Sequence, residues 1–195
     1  MSDPMPVAEE DRHFTYADYV LWEGPERYQI LGGEAFMMSS PTVAHQEISI
    51  ELSTQFRTFL RDKPCRVFAA PLDVRLFPEE DDSDDTVVQP DLLVVCDRDK
   101  IGTGSVNGAP DLVVEISSPS NSRKEMFLKF QYYLDAGVRE YWVIEQEEKK
   151  VQVHLNRDGH FVSSGYRDGD RVPVVVLPGL CIDLASLWAA AEGSA

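Results

Sequence analysis

Between Ala44 and Arg61 the apolar residues Ile48, Leu52, Phe56, Phe59 and Leu60 recur three or four positions apart, the stripe of a helix with one buried face. His45 lies three residues before Ile48 and so begins that buried side rather than the wet one. A shorter helix is expected over Thr15 to Trp22, opened by Thr15 with Asp18 three residues on as a capping acid. Ser118-Pro119-Ser120-Asn121 starts another, which runs to about Ala136 and is ended by Gly137. A last, short one begins at Asp183.

The remaining apolar runs carry strand patterns. Arg27 to Leu31, Gly32-Gly33 and Glu34 to Met38 read as a hairpin, because paired glycines supply the positive φ of a tight turn. Strands follow over Arg66 to Ala70, Asp73 to Phe77 and within Val87 to Cys96. Asp111 to Ser117 is almost continuously apolar, the signature of a strand covered on both faces. Tyr141 to Glu145, Val151 to Leu155 and His160 to Ser164 predict a meander, with Arg157-Asp158-Gly159 as one turn, and a strand near Val172 to Val176 precedes the C-terminal helix.

Helical and strand patterns thus alternate, which predicts a mixed α and β fold. At 195 residues the chain suits one domain, taken as residues 13–195 behind a flexible tail of residues 1–12. No apolar run approaches the roughly 20 residues of a membrane span, and the acidic N-terminus lacks the features of a signal peptide. Cys65, Cys96 and Cys181 have no metal-type spacing; Cys96 and Cys181 lie in apolar runs and are expected as buried thiols, which suits a reducing cytoplasm.

Charge narrows the choice of partner. The net charge is −16, and taking away the six acids of the run Glu79 to Asp85, expected as a solvated loop, still leaves −10. Phosphate neutralisation supplies much of the affinity of nucleic-acid binders, so any grip on DNA or RNA must come from a local basic patch, a metal ion or a partner.

Two segments stand out chemically. Pro90-Asp91 opens one apolar run, and Pro110-Asp111 opens another that contains Glu115 among Val113, Val114 and Ile116. An acid inside a buried strand is costly unless a cation or hydrogen-bond donor faces it. Asp111 and Glu115 share a face but stand about 13 Å apart along a strand, too far for one small cation. Strands pair about 4.8 Å apart, so Asp91 on a neighbouring strand is the acid that can meet Glu115. Two carboxylates converging there suit a hard divalent cation. Glu125, Lys129 and Tyr133 fall at i, i+4 and i+8 and share one helix face. No G-x-S-x-G elbow, Gly-rich phosphate loop or dinucleotide fingerprint occurs.

The ordered set Gly33-Glu34, Met38-Ser39-Ser40-Pro41, His45, Val88-Gln89-Pro90-Asp91, Ala109 to Ser120, Lys129, Tyr133 and Ala136 to Trp142 resembles the Uma family of restriction endonucleases, within the PD-(D/E)XK nuclease superfamily. The resemblance, from about Tyr16 to Trp188, implies a restriction-endonuclease-like central mixed β-sheet flanked by helices. It implies Mg2+-dependent hydrolysis of phosphodiester bonds in DNA, with Mn2+ as a substitute ion. Asp91 and Glu115 would hold the metal. The superfamily's lysine, normally two residues beyond the Glu, is here Ser117; Lys129 from the following helix would replace it. Glu34, His45, Ser117 and Tyr133 would support the site, and cutting both DNA strands implies a homodimer. A second reading keeps the fold without catalysis, as a nucleic-acid- or protein-binding module; the missing in-line lysine and the acidic charge favour it.

Overall fold

The computed structural model describes residues 12–117 and 122–193, so most of the expected tail and the Ser118–Asn121 break lie outside the described residues. The first helix, α1 (Tyr16–Tyr19), carries the expected capping box, Thr15 and Asp18 each satisfying the other's backbone N–H. The hairpin is β1 (Arg27–Leu31) and β2 (Glu34–Met38), turned by Gly32 and Gly33 at φ 59° and 79°. The long helix α2 (Val43–Phe59) is capped by Thr42 and buries Ile48, Leu52 and Phe56.

Then come β3 (Arg66–Ala69), β4 (Asp73–Arg75), β5 (Val87–Val88), β6 (Leu92–Val95), β7 (Ser105–Asn107) and β8 (Leu112–Ser117). After β8 the chain forms α3 (Arg123–Asp135), β9 (Glu140–Glu145), β10 (Lys150–Arg157) and β11 (His160–Arg167). It closes with β12 (Arg171–Pro173), β13 (Cys181–Asp183) and α4 (Leu184–Glu192).

The central sheet runs β11-β10-β9-β8-β6-β3, with β8 and β9 parallel and the other neighbours antiparallel. It is covered on both faces, as the apolar run around Glu115 requires. Leu92, Val94, Leu112, Val114 and Ile116 join α2, α4 and the β12–β13 segment in one core. Leu93, Val95, Val113, Tyr141 and Val143 join Tyr133 of α3 in the other. That second core also takes in a sheet of order β2-β1-β5-β4-β7. Glu140 is fully buried and accepts hydrogen bonds from Trp142 Nε1 and Val176 N, both at 2.8 Å, pinning the C-terminal segment to β9.

Several expectations need correction. The run Val87 to Cys96 holds the expected strand after Pro90-Asp91, β6, and one that was not expected, β5, which lies in a different sheet because Pro90 offers no N–H to continue the ladder. Val174 to Val176 leaves the strand and forms a turn. The acidic loop is not wholly solvated: Asp84 is buried, in a salt bridge with Arg75, whose guanidinium lies over the Tyr16 ring. Cys96 is bonded to Cys65 rather than being a free thiol, and Cys181 is exposed. The cysteines therefore give no support to a reducing compartment. Among the described residues no helix is long and apolar enough to cross a membrane.

Candidate active site

The β6–β8 register pairs Leu92 with Val114 and Leu93 with Val113, so Asp91, one residue before β6, stands opposite Glu115. The ladder extends through Asp91: its carbonyl accepts from Ala70 N at 3.1 Å, and its Oδ2 accepts from Ile116 N at 2.7 Å. The acid is thereby tied to β3 by its main chain and to β8 by its side chain. His45, in the first turn of α2, brings Nε2 to 3.2 Å from Asp91 Oδ1, while its Nδ1 is buried without a partner.

Glu115 meets the helix face that sequence spacing had marked. Lys129 Nζ lies 3.0 Å from Oε1 and 2.9 Å from Oε2, and the Tyr133 hydroxyl donates to Oε1 at 2.6 Å. Burial pushes the Glu115 carboxyl above its ordinary range; the Lys129 charge opposes this, and the negative charge of Asp91 adds to it. Burial and the neighbouring Glu115 charge push the Tyr133 hydroxyl far up, so it stays protonated and acts as a donor. Glu125 Oε1 lies 3.9 Å from Lys129 Nζ and accepts from Gln29 Nε2 of β1 at 2.6 Å.

These groups border one cleft of about 650 Å³, shared by Arg27, Ser39, Ser40, His45, Gln46, Gln89, Asp91, Glu115, Glu125 and Lys129. Of the candidate residues, Asp91, Glu115, Lys129 and His45 thus converge, with Tyr133 behind Glu115. Ser117 ends β8 opposite Glu145, on the same face of the strand as Glu115 but two residues further on. Glu34 stays outside the cluster: it is exposed at the hairpin and pairs with Lys124. Asp111 is tied off elsewhere, to Arg139 Nη1 at 3.0 Å and Cys96 N at 2.8 Å.

The sequence reading missed Gln29 and Arg27, and quoted Gln89 only within Val88-Gln89-Pro90-Asp91 without a role. Gln29 is one polar position in a short strand and carries no local signal. The partner that gives it meaning lies 96 residues away.

Among the described residues no three His, Cys, Asp or Glu side chains converge as a metal-binding group. The donor set still suits one class of ion. Asp91 and Glu115 offer hard oxygens in an open cleft, and Mg2+ commonly binds through one or two carboxylates while keeping several waters. Asp91, Glu115 and Glu125 also outnumber the cations Lys129 and Arg27 on the cleft wall.

Comparison with known proteins agrees with this architecture. An uncharacterized protein of Synechocystis sp. is 27% identical over 160 residues, covering 80% of this chain and 81% of its own. The crystal structure of a putative nuclease from Anabaena variabilis superposes with a TM-score of 0.73 at 20% identity, over 91% of this chain and 99% of that one. That likeness establishes a shared fold. Residues 16–185 match the Uma2 family, described as putative restriction endonuclease, and the chain belongs to that family.

Proposed function

We propose that this protein is a cytoplasmic Mg2+-dependent endonuclease that hydrolyses phosphodiester bonds in DNA, and that it works as a homodimer. The observation that carries the reading is the meeting of Asp91 and Glu115 across the β6–β8 ladder, with Lys129 on Glu115 at the wall of the same cleft. Asp91 and Glu115 would hold the ion. Such an ion, when bound, polarises a phosphate and lowers the pKa of an attacking water.

The protein's own groups supply the rest. His45 Nε2 and Ile116 N hold the two oxygens of Asp91, so its carboxylate has one orientation. Tyr133 does the same for Glu115 from behind. Lys129 is the catalytic cation that takes the place Ser117 leaves empty: an ammonium that can orient water and meet the charge growing on the phosphate. Arg27 offers the cleft a second cation for the DNA backbone. Glu34 and Ser117 are placed at the margin.

The test is cleavage of supercoiled plasmid with Mg2+ or Mn2+, against the same reaction in chelator. Asp91→Ala and Glu115→Ala are expected to lose both cleavage and the thermal stabilisation given by the ion. Lys129→Ala is expected to retain ion binding and lose about a hundredfold or more in rate. Ion binding without cleavage of plasmid, linear duplex or single-stranded DNA would favour the non-catalytic module, for which the net charge of −16 speaks. Sedimentation of the free and DNA-bound protein tests the dimer.

A further inference from the structure

Lys129 occupies the position that a bound cation would need. Its ammonium spans both oxygens of Glu115 and is almost wholly buried. A divalent ion on Glu115 and an ammonium on the same oxygens would repel strongly. One helical turn back, Glu125 holds a second carboxylate 3.9 Å from the same nitrogen. That carboxylate is already within ion-pair reach of the ammonium.

Glu125 is also fixed from the opposite sheet. Gln29 of β1 is 1% exposed, and its Nε2 donates to Glu125 Oε1. The other end of that amide, Oε1, is buried with no partner. An unpaired buried carbonyl is costly, so the position favours an arriving donor.

Accepting the Proposed function's reading of Asp91 and Glu115 as the ion site, we propose that Lys129 exchanges between Glu115 and Glu125 as the ion enters and leaves. Gln29 is the positioning residue that holds Glu125 as the second acceptor and lends Oε1 to the arriving ammonium. Each of the three carboxylates then has a partner in either state, Glu125 keeping Gln29 throughout. Without the ion, Lys129 neutralises Glu115, while His45 and Ile116 N serve Asp91. With it, the ion serves Asp91 and Glu115, and Lys129 neutralises Glu125. The exchange brings the lysine to the ion's flank only when the ion is present, which ties the catalytic cation to metal loading.

The test is a double-mutant cycle read as Mn2+ affinity by calorimetry on the intact chain at neutral pH. Glu125→Gln is expected to weaken Mn2+ binding about ten-fold in the wild-type background and less than about two-fold in Lys129→Met, because Glu125 acts through the lysine. Gln29→Met, which adds no buried charge, is expected to show the same sign and the same disappearance in Lys129→Met. Equal losses in both backgrounds would mean that Glu125 acts on the ion directly, and would overturn the exchange. Unchanged affinity in both Glu125→Gln and Gln29→Met would overturn it as well. Mn2+ affinity indifferent to Asp91→Ala and Glu115→Ala would instead sink the ion site itself, and the exchange with it. Melting of each ion-free variant confirms that the compared proteins are folded.

Discussion

Glu115 sits in a strand whose neighbours Val114 and Ile116 are buried apolar side chains, and it survives there because two donors meet it. The contrast with His154 is instructive. That ring is also buried, packed between Phe130, Tyr141 and Phe161, but among the described residues its Nδ1 meets only the neutral Ser163 hydroxyl, at 2.7 Å. Burial therefore pushes its pKa below the ordinary histidine value. On acidification the unfolded chain takes up this proton first, so stability falls as the pH drops below about 6.5 and levels off beneath the lowered folded value. Urea midpoints between about pH 7 and pH 5 should fall more steeply for the wild type than for His154→Gln. Parallel slopes would show that the ring is not held neutral by the fold. The residues of the candidate site were legible for a related reason. An acid in an apolar run, and a lysine and tyrosine spaced one turn apart, are visible as violations or periodicities in one segment. Gln29 was not, because its meaning lies wholly in Glu125 across the chain.

At the scale of elements, the hairpin, α2, β8 and the β9–β11 meander follow their local patterns, since each has a long periodic run and a turn signal. The failures are short or split elements. β7 is only Ser105–Asn107 beside Gly104 and Gly108, and it exists because β4 offers a parallel edge. The Cys65–Cys96 bond was hidden for the same reason: the β3–β6 register, Arg66 opposite Val95, is what sets the two cysteines side by side. That bond closes a sequence separation of 31 residues across the strands that carry Asp91. Cys65→Ser with Cys96→Ser, or reduction of the intact chain, should cost about 3 kcal/mol and lower the melting temperature by about 10 °C. Calorimetric scans with and without reductant check this; an unchanged transition in reductant would mean that β3 and β6 hold their register without the bond.

For the whole molecule the governing quantity is charge. A protein of net charge −16 has no long-range attraction for a polyanion, so on the proposed reading DNA would be gripped at short range inside the cleft. There the cations are Arg27 and Lys129, facing Asp91, Glu115 and Glu125. Lys124 is taken up by Glu34 at the hairpin. Without an ion the acids of the cleft outnumber its cations; a bound divalent cation would offset that excess where the phosphate would lie. Binding of a short duplex, followed by fluorescence anisotropy in Ca2+ to suppress cleavage, should therefore vanish in chelator. With few phosphates neutralised by side chains, log K should fall with log salt at a slope of only about −2. Arg27→Ala should make the slope shallower by about one, since it removes one phosphate contact. A slope steeper than about −5, or binding that persists in chelator, would require a basic surface larger than the cleft supplies, and would move the nucleic-acid interface away from Asp91 and Glu115.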